Sequence, residues 1–331
     1  MSLFFSGCQS CVFTKTQKKA APVILTSVAC ESEEAFEAGK KAAEKLQLSL
    51  KGEMPKAIIV SDTYDDLDLK NDSICGIASI YPKELLFGIS TYGSFVQGDV
   101  NEYDTVTLCA IAGEGVNVSS SFIKGMGAKG LSLEKHKQKL TSILNGTGEK
   151  LANGLAKSND DKMMIVLADA HSPKNEPLIA GIHKVMGKDF PITGGSNNKN
   201  QGENYICYQG QWVSDSALAI LLSGDFNVTM SGRKAKTNDA VISTAKDAAT
   251  QIWAQKQGEA KGVLVFNCAG RKGKLNRLAD EYEAIASVTG NTVPMFGVYC
   301  AGEFGPADDT AKQESLSNGC GWHAMFTVIS Q

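Results

Sequence analysis

A chain of 331 residues, 43% hydrophobic and 21% charged, is long enough for about two packed domains and has an ordinary globular make-up. Its net charge of -3 and pI near 5.9 supply no electrostatic attraction for nucleic acid or an anionic membrane. Apolar runs such as Met163 to Ala168 are far shorter than the roughly 20 residues that span a bilayer, so no transmembrane segment is expected.

Nine cysteines, an odd number at irregular spacings, argue for a reducing compartment, the cytoplasm, and against a disulfide scaffold. The N-terminus carries an alternative. Phe5-Ser6-Gly7-Cys8 resembles a lipoprotein cleavage box, but too little chain precedes it for a charged start and an apolar core of about 7 to 15 residues. A cell-envelope lipoprotein, lipidated at Cys8, is therefore the reading only for a trimmed signal. Cys8-Gln9-Ser10-Cys11 is followed by Val12 rather than His, which excludes a c-type haem attachment site. Residues 1–21 are read as a flexible leader or the remnant of such a signal.

The folded chain then begins with a strand over 23–28. Ser32, Glu33 and Glu34 start a helix with the stripe Ala35, Ala38, Ala42 and Leu46. A strand from Ala57 to Val60, a short helix over 74–80 and a strand from Leu85 to Ile89 follow. Thr105 to Ala112 and Val116 to Phe122 read as a hairpin around Gly113-Glu114-Gly115. The same order recurs. A helix with Leu144, Leu151 and Leu155 precedes the strand Met163 to Leu167, then a helix with Leu178, Ile182 and Val185 leads to Gly194-Gly195-Ser196. A third round starts at Asp239, with Val241, Ala245, Ala248 and Ile252 on one helical face.

Ile58, Ile165 and Leu264 mark equivalent strand starts, and Gly88, Thr193 and Gly297 precede equivalent glycine turns, at spacings of roughly 100 residues. Such units are too large for a solenoid repeat of about 20 to 50 residues. The predicted fold is α/β: about three related β-α-β-containing units, of roughly 100 residues each, forming mixed sheets covered by helices.

The third unit holds the richest chemistry. One strand ends in Asn267-Cys268-Ala269-Gly270-Arg271 and another in Tyr299-Cys300-Ala301-Gly302-Glu303, with a helix through Leu275, Leu278, Tyr282 and Ile285 between them. A helical crossover makes the two strands parallel, so both turns share the carboxyl edge where open α/β sheets hold ligands. Residues 305–320 read as a loop. The strand from Trp322 to Ile329, pairing antiparallel with the one ending at Tyr299, would bring Asn318 and His323 to that edge. Arg271, Tyr299, Glu303, Asn318 and His323 then converge, with Cys268 beside them.

These residues carry a family resemblance. Cys268-Ala269-Gly270-Arg271 after an apolar strand, and Phe296-Gly297-Val298-Tyr299 through Gly302-Glu303, resemble the motifs of the C-terminal FIST region. Gly194-Gly195-Ser196 resembles the glycine turn of the N-terminal region. The resemblance places the N-terminal FIST region over about 22–235, as two units, and the C-terminal region over 236–331. It implies a stand-alone prokaryotic sensory module that binds a small ligand, amino acids or similar carboxylates, and signals through a separate partner protein. Some relatives are haem-based gas sensors, but no haem-ligand motif accompanies the four histidines, His136, His171, His183 and His323.

An Arg271 guanidinium suits a ligand carboxylate through two charge-assisted hydrogen bonds, and Glu303 suits an ammonium. Glycine-turn N–H groups at Gly194, Gly195 and Ser196 would complete the site. The same two side chains would also satisfy each other as an ion pair, and the sequence leaves both arrangements open. The enzyme alternative makes Cys268 a nucleophile activated by His323 and oriented by Glu303. His171 at a strand end is the one candidate for a metal or haem; His183 reads as a solvated helix residue, and Asp65, Asp66 and Asp68 as a solvated loop. No cofactor is expected.

Overall fold

The computed structural model describes residues 21–169, 175–198, 205–308 and 314–331; the Cys8 box and His171 lie outside them. Three units repeat one path. The first runs through β1 (Ile24–Glu31), α1 (Ala35–Leu50), β2 (Pro55–Asp62), α2 (Leu67–Ala78), β3 (Leu86–Ser90), the hairpin β4 (Ser94–Val96) and β5 (Asp99–Asn101), and β6 (Thr105–Ala112). The second follows with β7 (Val116–Lys124), α3 (Leu133–Asn153), β8 (Asp161–Ala168), α4 (Glu176–Met186), β9 (Ile192–Ser196), the hairpin β10 (Ile206–Tyr208) and β11 (Gln211–Val213), and β12 (Ser216–Gly224). The third contains β13 (Asn227–Lys234), α5 (Asn238–Gln255), β14 (Ala260–Cys268), the single turn α6 (Ala269–Lys272), α7 (Ala279–Thr289), β15 (Met295–Cys300), the hairpin β16 (Gly302–Gly305) and β17 (Asn318–Cys320), and β18 (His323–Ser330).

Three six-stranded mixed sheets result, with the orders β1-β6-β2-β3-β10-β11, β17-β16-β9-β8-β12-β7 and β13-β18-β14-β15-β4-β5. In each, a parallel pair made by a helical crossover (β2 with β3, β8 with β9, β14 with β15) is flanked by antiparallel strands. The hairpins are exchanged. The first unit's hairpin adds to the third sheet, the second's to the first, and the third's to the second, so each sheet is completed by another unit.

Alternation along the strands sends one face of every sheet to a shared interior. Ile59 and Phe87, Ile165 and Leu167, and Phe266 and Phe296 meet there in one core drawn from all three sheets. The outer faces pack on α1 and α2, on α3 and α4, and on α5 and α7, each with its own apolar cluster. The stripe Ala35, Ala38, Ala42 and Leu46 is buried as the periodicity predicts. Register aligns the repeats: Val60, Val166 and Val265 face Gly88, Gly194 and Gly297. Equivalence therefore sits on Met164 and Val263 rather than Ile165 and Leu264, and on Gly194 rather than Thr193.

Two expected pairings differ. Strands β6 and β7 do not form a hairpin, because they belong to different sheets, β6 lying between β1 and β2 and β7 beside β12. The chain at Ala21 and Pro22 crosses the connection so closely that a Cβ on Gly113 or Gly115 would stand 2.2 or 2.1 Å from a backbone oxygen there. And β18 pairs with β14, not β15, whose other edge is taken by β4. The consequence for the site survives: His323 still starts its strand at the carboxyl edge, where Asn267 faces Ala324.

The helix pairs of units one and two cross at reciprocal glycines. A Cβ on Gly148 of α3 would stand 2.1 Å from the Leu178 carbonyl oxygen, and one on Gly181 of α4 would stand 2.0 Å from that of Asn145; Gly39 and Gly76 repeat the arrangement between α1 and α2. Gly146, in the same helix as Gly148, has open space around it. Alanine is the better helix former by about 1 kcal/mol, so Gly146→Ala is expected to leave the melting temperature unchanged or raise it. Gly148→Ala is expected to lower it by several degrees in a thermal melt, because the helices must separate.

Candidate functional site

The carboxyl ends of β3, β9 and β15 are stitched into a ring by backbone hydrogen bonds between units. Tyr92 N–H donates to the Tyr299 carbonyl and Tyr299 N–H to that of Gly93, both at 2.9 Å, while Ala301 N–H donates to Ser196 at 2.9 Å. Asn198 N–H closes the ring on the Ser90 carbonyl at 3.0 Å. Side chains at these strand ends divide between the helix-covered outer faces and the shared interior, because neighbouring residues on a strand point to opposite sides.

Arg271 takes the outer side. The chain leaves β14 through α6, and this single turn drives the guanidinium between α5 and α7, where it is fully buried. Its Nε and Nη2 donate to Glu281 Oε1 at 2.9 and 2.6 Å. Nη2 also reaches the Val241 carbonyl at 2.9 Å, and Nη1 that of Arg233 at 3.3 Å. Tyr299 completes the cluster, donating its hydroxyl to Glu281 Oε2 at 3.1 Å. The carboxylate that Arg271 holds is thus Glu281, not Glu303, and Arg271 and Tyr299 share the outer side of the sheet. The expected convergence splits in two. Helical spacing placed residues of the 275–285 stretch on a core face, but Glu281 carries no motif, and only the folded chain brings it beneath Arg271.

The first unit has an analogous buried pair on its outer face. Lys70 Nζ lies 3.0 Å from Asp62 Oδ1, Ser73 donates to the other carboxylate oxygen at 2.5 Å, and the Trp212 ring covers the ammonium at 5.4 Å. Asp66 caps α2 by accepting from Leu69 N–H at 2.9 Å, which accounts for one of the three aspartates of that loop.

Cys268 and Glu303 take the inner side. The hairpin β16–β17 carries the fully buried Glu303 across to unit two, facing Gly195 on β9 and Cys320 on β17. Its Oε1 accepts the His323 backbone N–H at 2.6 Å, and Cys268 donates its S–H to the same carboxylate. Burial, and then the Glu303 charge, push the Cys268 thiol up to about 11, against the lowering effect of the Trp322 and Gly270 N–H groups. Burial likewise raises Cys300, the register partner of Cys268, well above the usual thiol range. Gly195 belongs to this cluster: a Cβ there would stand 2.5 Å from Cys300 Sγ. The glycine stretch of the N-terminal region and Glu303 of the C-terminal region therefore meet, as Gly302 pairs with Ser196 and Phe304 with Gly194.

His323 faces inward too, but its ring does not serve Cys268. Nδ1 meets the Gly321 carbonyl at 3.0 Å and Nε2 the Asp308 carboxylate at 2.9 Å. Burial lowers its pKa, while both of those partners push it back up. Asn318 sits at the far end of the hairpin, opposite Gly305, with its amide on the Ser315 carbonyl at 3.1 Å. Between Cys268 and His323 stands Trp322 at φ +67, a left-handed backbone that bulky residues adopt at a cost of about 1–3 kcal/mol. A Cβ on Gly270 would approach its ring to 3.0 Å.

Sequence reasoning missed Asp169. Once Val60, Val166 and Val265 are aligned, it is the counterpart of Cys268 in unit two. Asn197 Nδ2 and Ser216 N–H donate to its carboxyl at 2.9 and 3.1 Å, yet burial pushes it up to about 8. His183 is a correction. Rather than solvated it is buried, with its ring nitrogens 2.8 Å from the Gly187 and Ser317 carbonyls, tying α4 to the segment before β17. Among the described residues no group of three or more His, Cys, Asp or Glu side chains converges as a metal-ligand set, and no helix is long and apolar enough to cross a membrane.

Three exchanged α/β units around a shared core, with polar strand ends gathered at one edge, define a repeat-built α/β protein whose inward-facing carboxylate and thiols make the candidate site. The FIST N domain model matches residues 56–248, more than half of the chain, and the FIST C domain model matches 219–306. The chain belongs to the FIST family, whose domains are small-ligand sensory domains of signalling proteins. The two matches overlap over 219–248, from β12 into α5. No curated protein matches the sequence. Similar solved structures include a cyanuric acid hydrolase described as an evolutionary innovation by structural concatenation, at 10% identity and a TM-score of 0.48, covering 93% of this chain and 99% of that chain. Another is a cyanuric acid hydrolase from A. caulinodans, at 8% identity and a TM-score of 0.43, covering 94% and 100%.

Removing Arg271 leaves the buried Glu281 carboxylate without its cation. Arg271→Ala is expected to cost about 3–5 kcal/mol of stability in denaturant unfolding, with Arg271→Lys between it and the parent. Cys268 is expected to react slowly with iodoacetamide at neutral pH, after the exposed Cys75, and to gain rate up to about pH 11; peptide mapping of the alkylated sites checks the order.

Proposed function

We propose that this chain is a small-ligand sensor whose ligand is seated at the inner carboxyl edge of units two and three, against Glu303, Cys268, His323, Gly195 and Ser196. The observation that carries the reading is Glu303, a carboxylate fully buried on an exchanged hairpin beside a thiol. Burying a carboxylate costs several kcal/mol, and an ammonium group delivered by a ligand would offset that cost. An amino acid or a similar small amino-carboxylate fits this chemistry. Arg271 would not meet the ligand, because it is held by Glu281 on the outer face; nor would the glycine N–H groups expected of a turn, since Gly194–Ser196 is the end of strand β9 with paired strands on both edges.

Binding that shifts Glu303 shifts the hairpin, and through it the second sheet, so occupancy would be passed between units to a separate signalling partner. A nucleophilic role for Cys268 is disfavoured by the same geometry, because a thiol held protonated by burial and a neighbouring carboxylate is a poor nucleophile at neutral pH.

Thermal-shift titration with the free amino acids and small carboxylates tests this reading. A ligand at about 100 times its dissociation constant adds about 2.7 kcal/mol to stability. At least one amino-bearing compound is expected to raise the melting temperature. Glu303→Gln keeps an oxygen for the His323 N–H and should fold, yet lose that response; an unchanged response in this variant would sink the site.

A further inference from the structure

A cleft of about 540 Å³ opens at the opposite, amino edge of the third sheet, lined by Val23 and Leu25 of the first unit and by Trp253, Lys256, Lys261 and Pro294 of the third. We infer that this cleft is a second small-molecule site, one that takes an elongated amphipathic anion, an aryl or alkyl chain ending in a carboxylate or sulfonate. It lies at the Ala260 end of β14, and Cys268 is at the other end, about 26 Å away at the ~3.3 Å rise of a strand.

The volume falls within the roughly 300–1,000 Å³ range of small-ligand pockets. The walls are held by bonds that do not depend on a ligand, two of them crossing from the first unit to the third and the others within the third. Ser27 Oγ donates to the Met295 carbonyl at 2.6 Å, Val23 N–H donates to Gln331 Oε1 at 3.2 Å, and Val263 N–H holds the Pro294 carbonyl at 2.8 Å. Glu259 and Gln331 exchange both backbone hydrogen bonds at 2.9 Å. Unit one also presses close to β14, since a Cβ on Gly262 would stand 2.7 Å from that of Leu25. The concavity is therefore a built junction of two units.

Its chemistry is two-sided. Val23, Leu25, Val293 and Pro294 offer an apolar floor, and Trp253 offers an aromatic plane. Lys256 Nζ sits 5.2 Å from the Trp253 ring centroid, anchored on the Gly258 carbonyl at 3.0 Å, and so marks where the plane meets positive charge. Lys261 adds a second ammonium, 2.6 Å from Glu259 Oε2. Two lysines against one glutamate leave a net positive mouth over an apolar floor, complementary to a flat apolar body with one anionic end.

The test titrates the full chain with 1-anilinonaphthalene-8-sulfonate, followed by probe fluorescence and by energy transfer from tryptophan. Its uncharged analogue N-phenyl-1-naphthylamine serves as control. The expected result is one saturable site for the sulfonate, weakened at least tenfold in Lys256→Ala/Lys261→Ala. The neutral probe should lose affinity in Trp253→Ala and not in the lysine variant. Glu303→Gln should bind the sulfonate like the parent, which separates this cleft from the carboxyl-edge site. Non-saturating uptake, or equal affinity in the parent and the lysine and tryptophan variants, overturns the inference.

Discussion

The exchange of hairpins among the three units is the constraint on which the rest of the molecule depends. A two-stranded hairpin is marginal alone, and each sheet of four strands would otherwise end on the exposed edge of β3, β9 or β15. Placing every hairpin on another unit's sheet covers those edges and forces the units to fold around one core. It also fixes where chemistry gathers, because the edge each hairpin covers ends at the carboxyl side of a parallel pair. Glu303 reaches Cys268 and the Gly194–Ser196 strand only because its hairpin leaves its own unit.

The threefold repeat is the scaffold, and the departures from it are where the polar clusters lie. Val60, Val166 and Val265 still face glycines across their parallel pairs, and units one and two keep reciprocal glycine crossings between helices. The strand ends differ from unit to unit. Unit one buries Lys70 with Asp62, unit two a carboxyl group pushed up to about 8, and unit three an Arg271–Glu281–Tyr299 cluster outside and a Cys268–Glu303 pair inside. The outer clusters brace helices against sheets. The inner groups face the shared core, which is why the proposed ligand site is built on the inner carboxylate and not on the outer ion pair.

Much of the fold was legible in the chain. Helical and strand periodicities located the crossover units, the near-constant spacing revealed the threefold repeat, and the motifs around Cys268 and Glu303 identified the family. Periodicity reports burial along one element and is blind to the partner across it. That is why Thr105–Ala112 and Val116–Phe122 read as a hairpin although they lie in different sheets, and why β18 was expected beside β15. It is also why His183, on a helix that looked half solvated, proves buried.

The sequence by itself determined the number of units, the parallel pairs, the polar edge and the residue types that gather there. Tertiary structure alone decided which of those residues meet. Arg271 and Glu303 follow neighbouring strand ends that are register partners, Cys268 and Cys300, and an ion pair or a two-ended ligand clamp was an equally good reading of their charges. One turn of helix sends Arg271 outward to Glu281, and an exchanged hairpin sends Glu303 inward to Cys268. The reason is physical: a side chain's face is set by alternation and by the local turn, whereas its partner is set by packing between segments far apart in the chain.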